Sequence, residues 1–286
     1  METTRKSNAR ERGIRALWRF VLFLAVLFFA IIIALYLERT VASLLSGRGY
    51  RPLVADLAGP AATLLATWVM LKAVDRTSWD YVGLGKAAAA PRTIAFGALA
   101  GFLPIAIPSA FLIMIGQLDI VPSPEGSWWG TTSLTFLNLL PAAFGEELFI
   151  RGYLFSIMRD AIGWRWTLIW TSVVFGLLHM SNPGADAQSV GIVMLAGFFL
   201  GSLYLATKSL YAATAAHFVW NWFMAAGLHS PVSGIPMKAP DYQVIDAGPD
   251  WLTGGPWGPE GGFGAALGMF AILIYLHARH LRRTES

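Results

Sequence analysis

The chain contains no cysteine among its 286 residues. This absence excludes a disulfide framework, a thiolate zinc site, an iron–sulfur cluster and a cysteine nucleophile. Charged residues are also scarce, at 13% of the chain, against about 25% in soluble globular proteins. The net charge is +4, but the basic residues lie between apolar runs and form no single patch, which argues against nucleic acid as a partner.

Hydrophobic residues, in contrast, make up 56% of the chain, and the mean hydropathy is +0.56. A helix needs about 20 mostly apolar residues to cross a bilayer. The sequence therefore predicts an all-α, polytopic membrane bundle of about eight transmembrane helices, over 20–37, 53–71, 94–115, 134–158, 166–179, 190–207, 210–228 and 263–276. The first run is longer than the apolar region of a signal peptide, about 7–15 residues, so we expect a retained signal anchor.

The distribution of basic residues predicts which loops face the cytoplasm. The N-terminus, the C-terminal tail and the second, fourth and sixth connections carry Lys or Arg, whereas the third and fifth carry only Asp119, Glu125 and Asp186. Both termini are therefore expected to be cytoplasmic. The first connection breaks this alternation with three basic residues, Arg39, Arg48 and Arg51.

Three regions follow from these runs. Residues 1–93 hold a basic segment and two helices, 94–228 hold the apolar core that carries the ionisable residues, and 229–286 hold a loop, the last helix and a basic tail. The loop at 230–262 is rich in Pro and Gly, and we expect no independent domain in it. Its acids are Asp241, Asp246, Asp250 and Glu260.

Ionisable side chains inside the predicted membrane helices are the main functional signal, because each costs roughly 2.5–3.5 kcal/mol on insertion scales. The run EELFIR at 146–151 contains two acids and an arginine. Glu147 and Arg151 lie four residues apart on one helix face, in the favourable order for an ion pair. Glu146 lies about 100° around the helix and has no local partner. A purely structural pair beside a protonated glutamic acid is the alternative interpretation.

Two further helices carry histidine one helical turn from a second conspicuous side chain. FGLLH at 175–179 places Phe175 before His179, and HFVWN at 217–221 places His217 and Asn221 on one face. A carboxylate with an imidazole is able to activate water, and a histidine with an asparagine offers two donors to an oxyanion. The spacing allows one shared cavity for these groups.

The same side chains are also able to hold a divalent metal such as zinc, with Glu146, His179 and His217 as candidate ligands. The HExxH zinc pattern is absent, as are the GxSxG elbow, the P-loop and the dinucleotide fingerprint. From the residues alone, metal-dependent and metal-free water activation both stay open.

These three motifs, EExxxR, FxxxH and HxxxN in this order, resemble those of the CPBP family of CAAX prenyl endopeptidases of the second type, also called the Abi family. The resemblance covers about 94–228 and implies an all-helical intramembrane peptidase. In CAAX-processing members the reaction removes the last three residues of a prenylated protein. By this resemblance Glu146 and His179 activate water, and His217 and Asn221 bind the oxyanion. The remaining members of the first two motifs, Glu147, Arg151 and Phe175, are expected to support the site.

The expected partners are therefore the lipid bilayer and a membrane-associated peptide or prenylated protein, with a prokaryotic inner membrane as the location. Two other functions remain open. The first is a non-catalytic scaffold or bacteriocin self-immunity protein of the same family. The second is a small transporter, which is less consistent because nearly all intramembrane ionisable residues lie in the second half of the chain, without an inverted repeat.

Overall fold

Helices make up most of the structure. A computed structural model describes residues 9–46, 57–124 and 127–284. The α-helices of these residues are α1 (Ala9–Ser46), α2 (Ala58–Val69), α3 (Pro91–Met114), α4 (Trp128–Glu147), α5 (Tyr153–Ile162), α6 (Trp164–Leu178), α7 (Ala187–Thr207), α8 (Leu210–Trp222), α9 (Asp250–Thr253) and α10 (Phe263–Thr284). The predicted, mostly helical architecture is confirmed.

Several of these helices have the length and composition of membrane spans. In the described part of the chain, three are long and apolar enough to cross a bilayer: Arg10–Leu44, Pro91–Met114 and Ala187–Thr207. The shorter apolar helices Ala58–Val74 and Phe263–Ala278 accompany them. An integral membrane protein is the class that these helices indicate. The count of eight spans and the sidedness stay predictions, and Arg48, Arg51 and Glu125 lie outside the described residues.

The predicted fourth span, 134–158, is not one helix. α4 ends at Glu147, a π-helical turn follows at Leu148–Gly152, and α5 begins at Tyr153. Gly152 has φ −81° and ψ −117°, outside the helical region. One regular helix over these residues is therefore wrong, while the count of spans stays a prediction. Hydropathy cannot detect this interruption, because the apolar composition continues through it.

Two short strands form an antiparallel sheet, so the prediction of an all-α chain is wrong in this respect. β1 (Leu118–Pro124) pairs with β2 (Pro240–Asp246), with Ile120 opposite Val244. Leu118 and Val244 are buried in the main core cluster. Both strands lie in connections between apolar runs, where only side-chain alternation and not hydropathy could have indicated them.

The connections sort into two groups at opposite ends of α3. The strand pairing joins the third connection to the seventh, and Asn182 of the fifth connection donates to the carbonyl of Ser233 in the seventh (2.9 Å). At the other end of α3, Ser209 of the sixth connection donates to the carbonyl of Ala88 in the second (2.6 Å). This grouping agrees with the alternation that the basic residues predict. Which end is cytoplasmic stays a prediction.

α3 and α8 pack unusually close, and this contact holds the third motif in place. A Cβ built on Gly97 would lie 2.2 Å from the carbonyl oxygen of Ala212, and one on Gly101 would lie 2.1 Å from that of Ala216. Two small residues four apart on each helix let the backbones touch, as in other membrane helix pairs. The contact therefore fixes the position of α8 at Ala216, one residue before His217.

Candidate active site

The three sequence motifs reach the site from different elements. Glu146 and Glu147 end α4, and Arg151 belongs to the π-helical turn that follows. His179 immediately follows α6, whose last turn carries Phe175. π-Helical turns occur frequently at functional sites, because the wider turn re-aims the side chains that follow it.

A buried network connects the first motif to the third. Arg151 Nη1 lies 2.8 Å from Glu147 Oε1, in the ion pair that the spacing predicts, and both side chains are fully buried. The same oxygen accepts a hydrogen bond of 2.9 Å from His217 Nδ1. Glu147 therefore holds an arginine from the turn that follows its own helix and a histidine from α8. The sequence indicates the arginine contact but not the histidine contact.

Arg151 also contacts the elements that carry the second motif. Its Nη2 donates to the carbonyl of Gly197 in α7 at 3.0 Å. Its guanidinium carbon lies 4.4 Å from the ring centre of Phe175, within the range of a cation–π interaction. One buried side chain thus contacts α4, α6 and α7.

Hydrogen bonds fix the tautomers of both histidines. His179 Nδ1 lies 2.8 Å from the carbonyl oxygen of Phe175, which only accepts, so Nδ1 carries the hydrogen. His217 Nδ1 donates to the Glu147 carboxylate in the same way. In each ring Nε2 is then the nitrogen left for chemistry. Both rings contact Phe175, whose ring centre lies 4.8 Å from that of His179 and 5.9 Å from that of His217.

A small cavity of about 40 Å³ lies where the second and third motifs meet. Its lining includes His179, His217 and Asn221, together with Phe175. A volume of this size holds one or two water molecules. Glu146 does not line this cavity; its side chain is 45% exposed, and its Oε2 lies 3.9 Å from His217 Nε2.

The predicted metal ligands do not fit a shared metal ion in this arrangement. Among the described residues, no three His, Cys, Asp or Glu side chains are grouped closely enough to hold one. A protein zinc site needs at least three ligands about 2.0–2.3 Å from the ion.

The cavity also contains groups that the motifs do not include. Glu260, from the 3₁₀ turn Pro259–Gly261, lines it together with Trp220 and Ser233. Trp257, fully buried in the same loop, packs in a cluster with Phe175. The sequence presents Glu260 as one of four loop acids, and no local pattern separates it from the other three.

Comparison with known proteins tests the family that the motifs predict. Residues 128–223 match the family model described as Rce1-like, type II CAAX prenyl endopeptidase. The predicted family resemblance is confirmed over this segment. No curated protein matches the chain.

The Rce1-like segment contains every residue of the three motifs. It begins at the first residue of α4 and ends just after α8. α1 to α3 and the loop after α8 lie outside it. Glu260 and Ser233, which line the cavity beside the motif histidines, are therefore contributed from outside the Rce1-like segment.

Proposed function

We propose that the chain is an intramembrane endopeptidase that hydrolyses a peptide bond in membrane-associated or prenylated, CAAX-type proteins. The observation that carries the proposal is the common cavity of His179, His217 and Asn221, within the Rce1-like segment. Side chains from two separate helical motifs meet there around a space of water size.

The proposed reaction begins with water held between Glu146 and His179. His179 has Nε2 as the acceptor, because its Nδ1 hydrogen is donated to a backbone carbonyl. A proton passes from the water to one of these bases as its oxygen attacks the carbonyl carbon of the scissile bond. The tetrahedral oxyanion then collapses, the C–N bond breaks, and the leaving amine takes up the proton.

The oxyanion would be stabilised by His217 and Asn221, one helical turn apart on α8. Since His217 Nδ1–H is engaged with Glu147, donation from Nε2 requires a ring that carries both protons. Of the two carboxylates beside that ring, Glu146 lies on the side of Nε2 and Glu147 on the side of Nδ1. Removing a single oxyanion donor typically costs about 10²–10³ in kcat.

The test compares the termini of membrane proteins by mass spectrometry in cells that carry the native chain or Glu146→Gln. This change keeps the side-chain size and removes the carboxylate, and the partly exposed position tolerates it. We expect a specific protein to keep an uncut terminus only in the variant. Purified protein should then cleave the matching peptide, with activity lost in the variant.

Equal processing in the two strains would contradict the role of Glu146. Loss of a cellular phenotype without any changed terminus would favour the scaffold or immunity function instead. Glu147→Gln is not a suitable substitute in this experiment, because that carboxylate is buried in an ion pair.

A further inference from the structure

Glu260 is an unusual residue for the interior of a membrane protein. It lies in the loop after α8, only 8% of it is exposed, and it lines the same cavity as His179, His217 and Asn221. Among the described residues, no Lys, Arg or His forms an ion pair with it. A buried carboxylate without a cation is costly, so its retention at this position calls for an explanation.

Three donors from two different elements converge on the carboxylate. Trp220 Nε1 donates to Oε2 at 2.6 Å. The backbone N–H of Ser233 donates to Oε1, and the Ser233 hydroxyl donates to the same oxygen at 3.0 Å. The indole and backbone N–H groups are able only to donate. Both oxygens of Glu260 are therefore required as acceptors.

These hydrogen bonds connect the two histidine motifs. Trp220 lies on α8 between His217 and Asn221. On the other side, the carbonyl of Ser233 accepts from Asn182 Nδ2 at 2.9 Å, and the backbone N–H of Asn182 donates to the carbonyl of His179 at 3.1 Å. A continuous path thus runs from His179 through Asn182, Ser233 and Glu260 to the helix of the third motif.

We propose that Glu260 is a positioning residue of the peptidase site, which fixes the separation between the water-activating histidine and the oxyanion donors. This inference rests on the proposed function. Glu260 acts through Trp220 and Ser233, since neither of its oxygens is needed as a base in the reaction. A displacement of about 1 Å in such a site costs up to about 10²-fold in rate.

Glutamine in place of Glu260 tests the path without changing its shape. A carboxamide has one accepting oxygen, so its NH₂ group must face either the indole N–H of Trp220 or the backbone N–H of Ser233. Two donors then point at each other. Phenylalanine at position 220 removes the indole donor, and the double variant Trp220→Phe/Glu260→Gln therefore relieves the conflict.

The assay uses full-length protein in liposomes and an internally quenched, farnesylated peptide that ends in a CAAX sequence. We expect Glu260→Gln to lower kcat by about 10- to 100-fold and to leave KM within about twofold. Trp220→Phe/Glu260→Gln should have a kcat no lower than that of Glu260→Gln. The matched control is Asp241→Asn, an exposed carboxylate of the same loop, which should equal the native chain.

Three results would overturn the inference. One is a kcat for Glu260→Gln within about twofold of the native value. Another is a double variant in which the losses of the two single variants simply multiply. The third is a loss explained by a smaller folded fraction, with kcat per folded molecule unchanged.

If the proposed function is wrong, the native chain itself will leave the peptide uncut, and this result separates that failure from a failure of the inference about Glu260. In that case hydrogen-exchange mass spectrometry decides on Glu260 without any catalysis. Replacement of Glu260 by alanine should accelerate exchange at the amide of Asn182, two contacts away, whereas Asp241→Asn should not. Unchanged exchange at Asn182 would show that the path carries no constraint to His179.

Discussion

The buried pair of Glu147 and Arg151 allows a stability prediction with a defined magnitude. Both side chains are fully buried, and they are 2.8 Å apart. Replacing one partner removes the nearest opposite charge of the other, and breaking such a buried pair typically costs 3–5 kcal/mol. We therefore expect Glu147→Gln and Arg151→Met each to lower the free energy of unfolding by about this amount.

The single losses add up to about 6–10 kcal/mol. The double variant Glu147→Gln/Arg151→Met should cost much less than this sum, because the buried carboxylate and the buried guanidinium are removed together. The measurement is reversible denaturation by SDS in mixed micelles. Arg159→Met is the matched control, since Arg159 and Asp160 form a 3.4 Å pair at the surface, where such pairs contribute about 0–1 kcal/mol. Single losses as small as that of the control would refute the reasoning.

Two further predictions concern helix packing and capping. Gly101→Ala places a Cβ 2.1 Å from the carbonyl oxygen of Ala216, so α3 and α8 must separate. We expect the free energy of unfolding to fall by about 1–3 kcal/mol in the same denaturation assay. The control is Gly191→Ala, which has no atom near its Cβ and should not destabilise the chain. Asp186 caps α7, and its pKa is lowered from 3.8 by hydrogen bonds from the backbone and side chain of Ser189. Asp186→Ala should cost about 1 kcal/mol of stability at neutral pH. Because a lowered pKa adds stability only while the group is ionised, this difference should narrow as the pH falls well below 3.8, towards the difference between Asp186→Asn and Asp186→Ala. Asp186→Asn, which keeps a capping oxygen, should retain most of the stability; an equal loss in both variants would contradict the capping role.

Local spacing allowed the sequence to predict the ion pair of the first motif. Four residues separate Glu147 from Arg151, and helical geometry alone brings such side chains together. The mostly helical architecture followed from composition and run length for the same reason, since a bilayer leaves few other solutions. These inferences depend on residues close together in the sequence or on overall composition, and one amino-acid sequence supplies both kinds of information.

Contacts between distant segments were not accessible in the same way. The hydrogen bond from His217 to Glu147 joins residues 70 positions apart, and the sheet joins β1 to a strand more than 110 residues later. The interruption at Gly152 depends on one backbone angle inside an apolar run. Glu260 resembled a solvated loop acid, because Pro and Gly surround it and its three donors are remote in sequence.

The two adjacent glutamates show how one helical step separates structure from chemistry. Consecutive residues differ by about 100° around the helix, so Glu147 turns into the bundle and Glu146 toward its edge. Glu147 is fully buried and bonds Nδ1 of His217, whereas Glu146 is 45% exposed and faces Nε2 of the same ring at 3.9 Å. The inner carboxylate, already held by Arg151, fixes the ring. The outer one has no arginine partner and a partly exposed side chain, and for this reason the proposed base is Glu146 and the proposed support is Glu147.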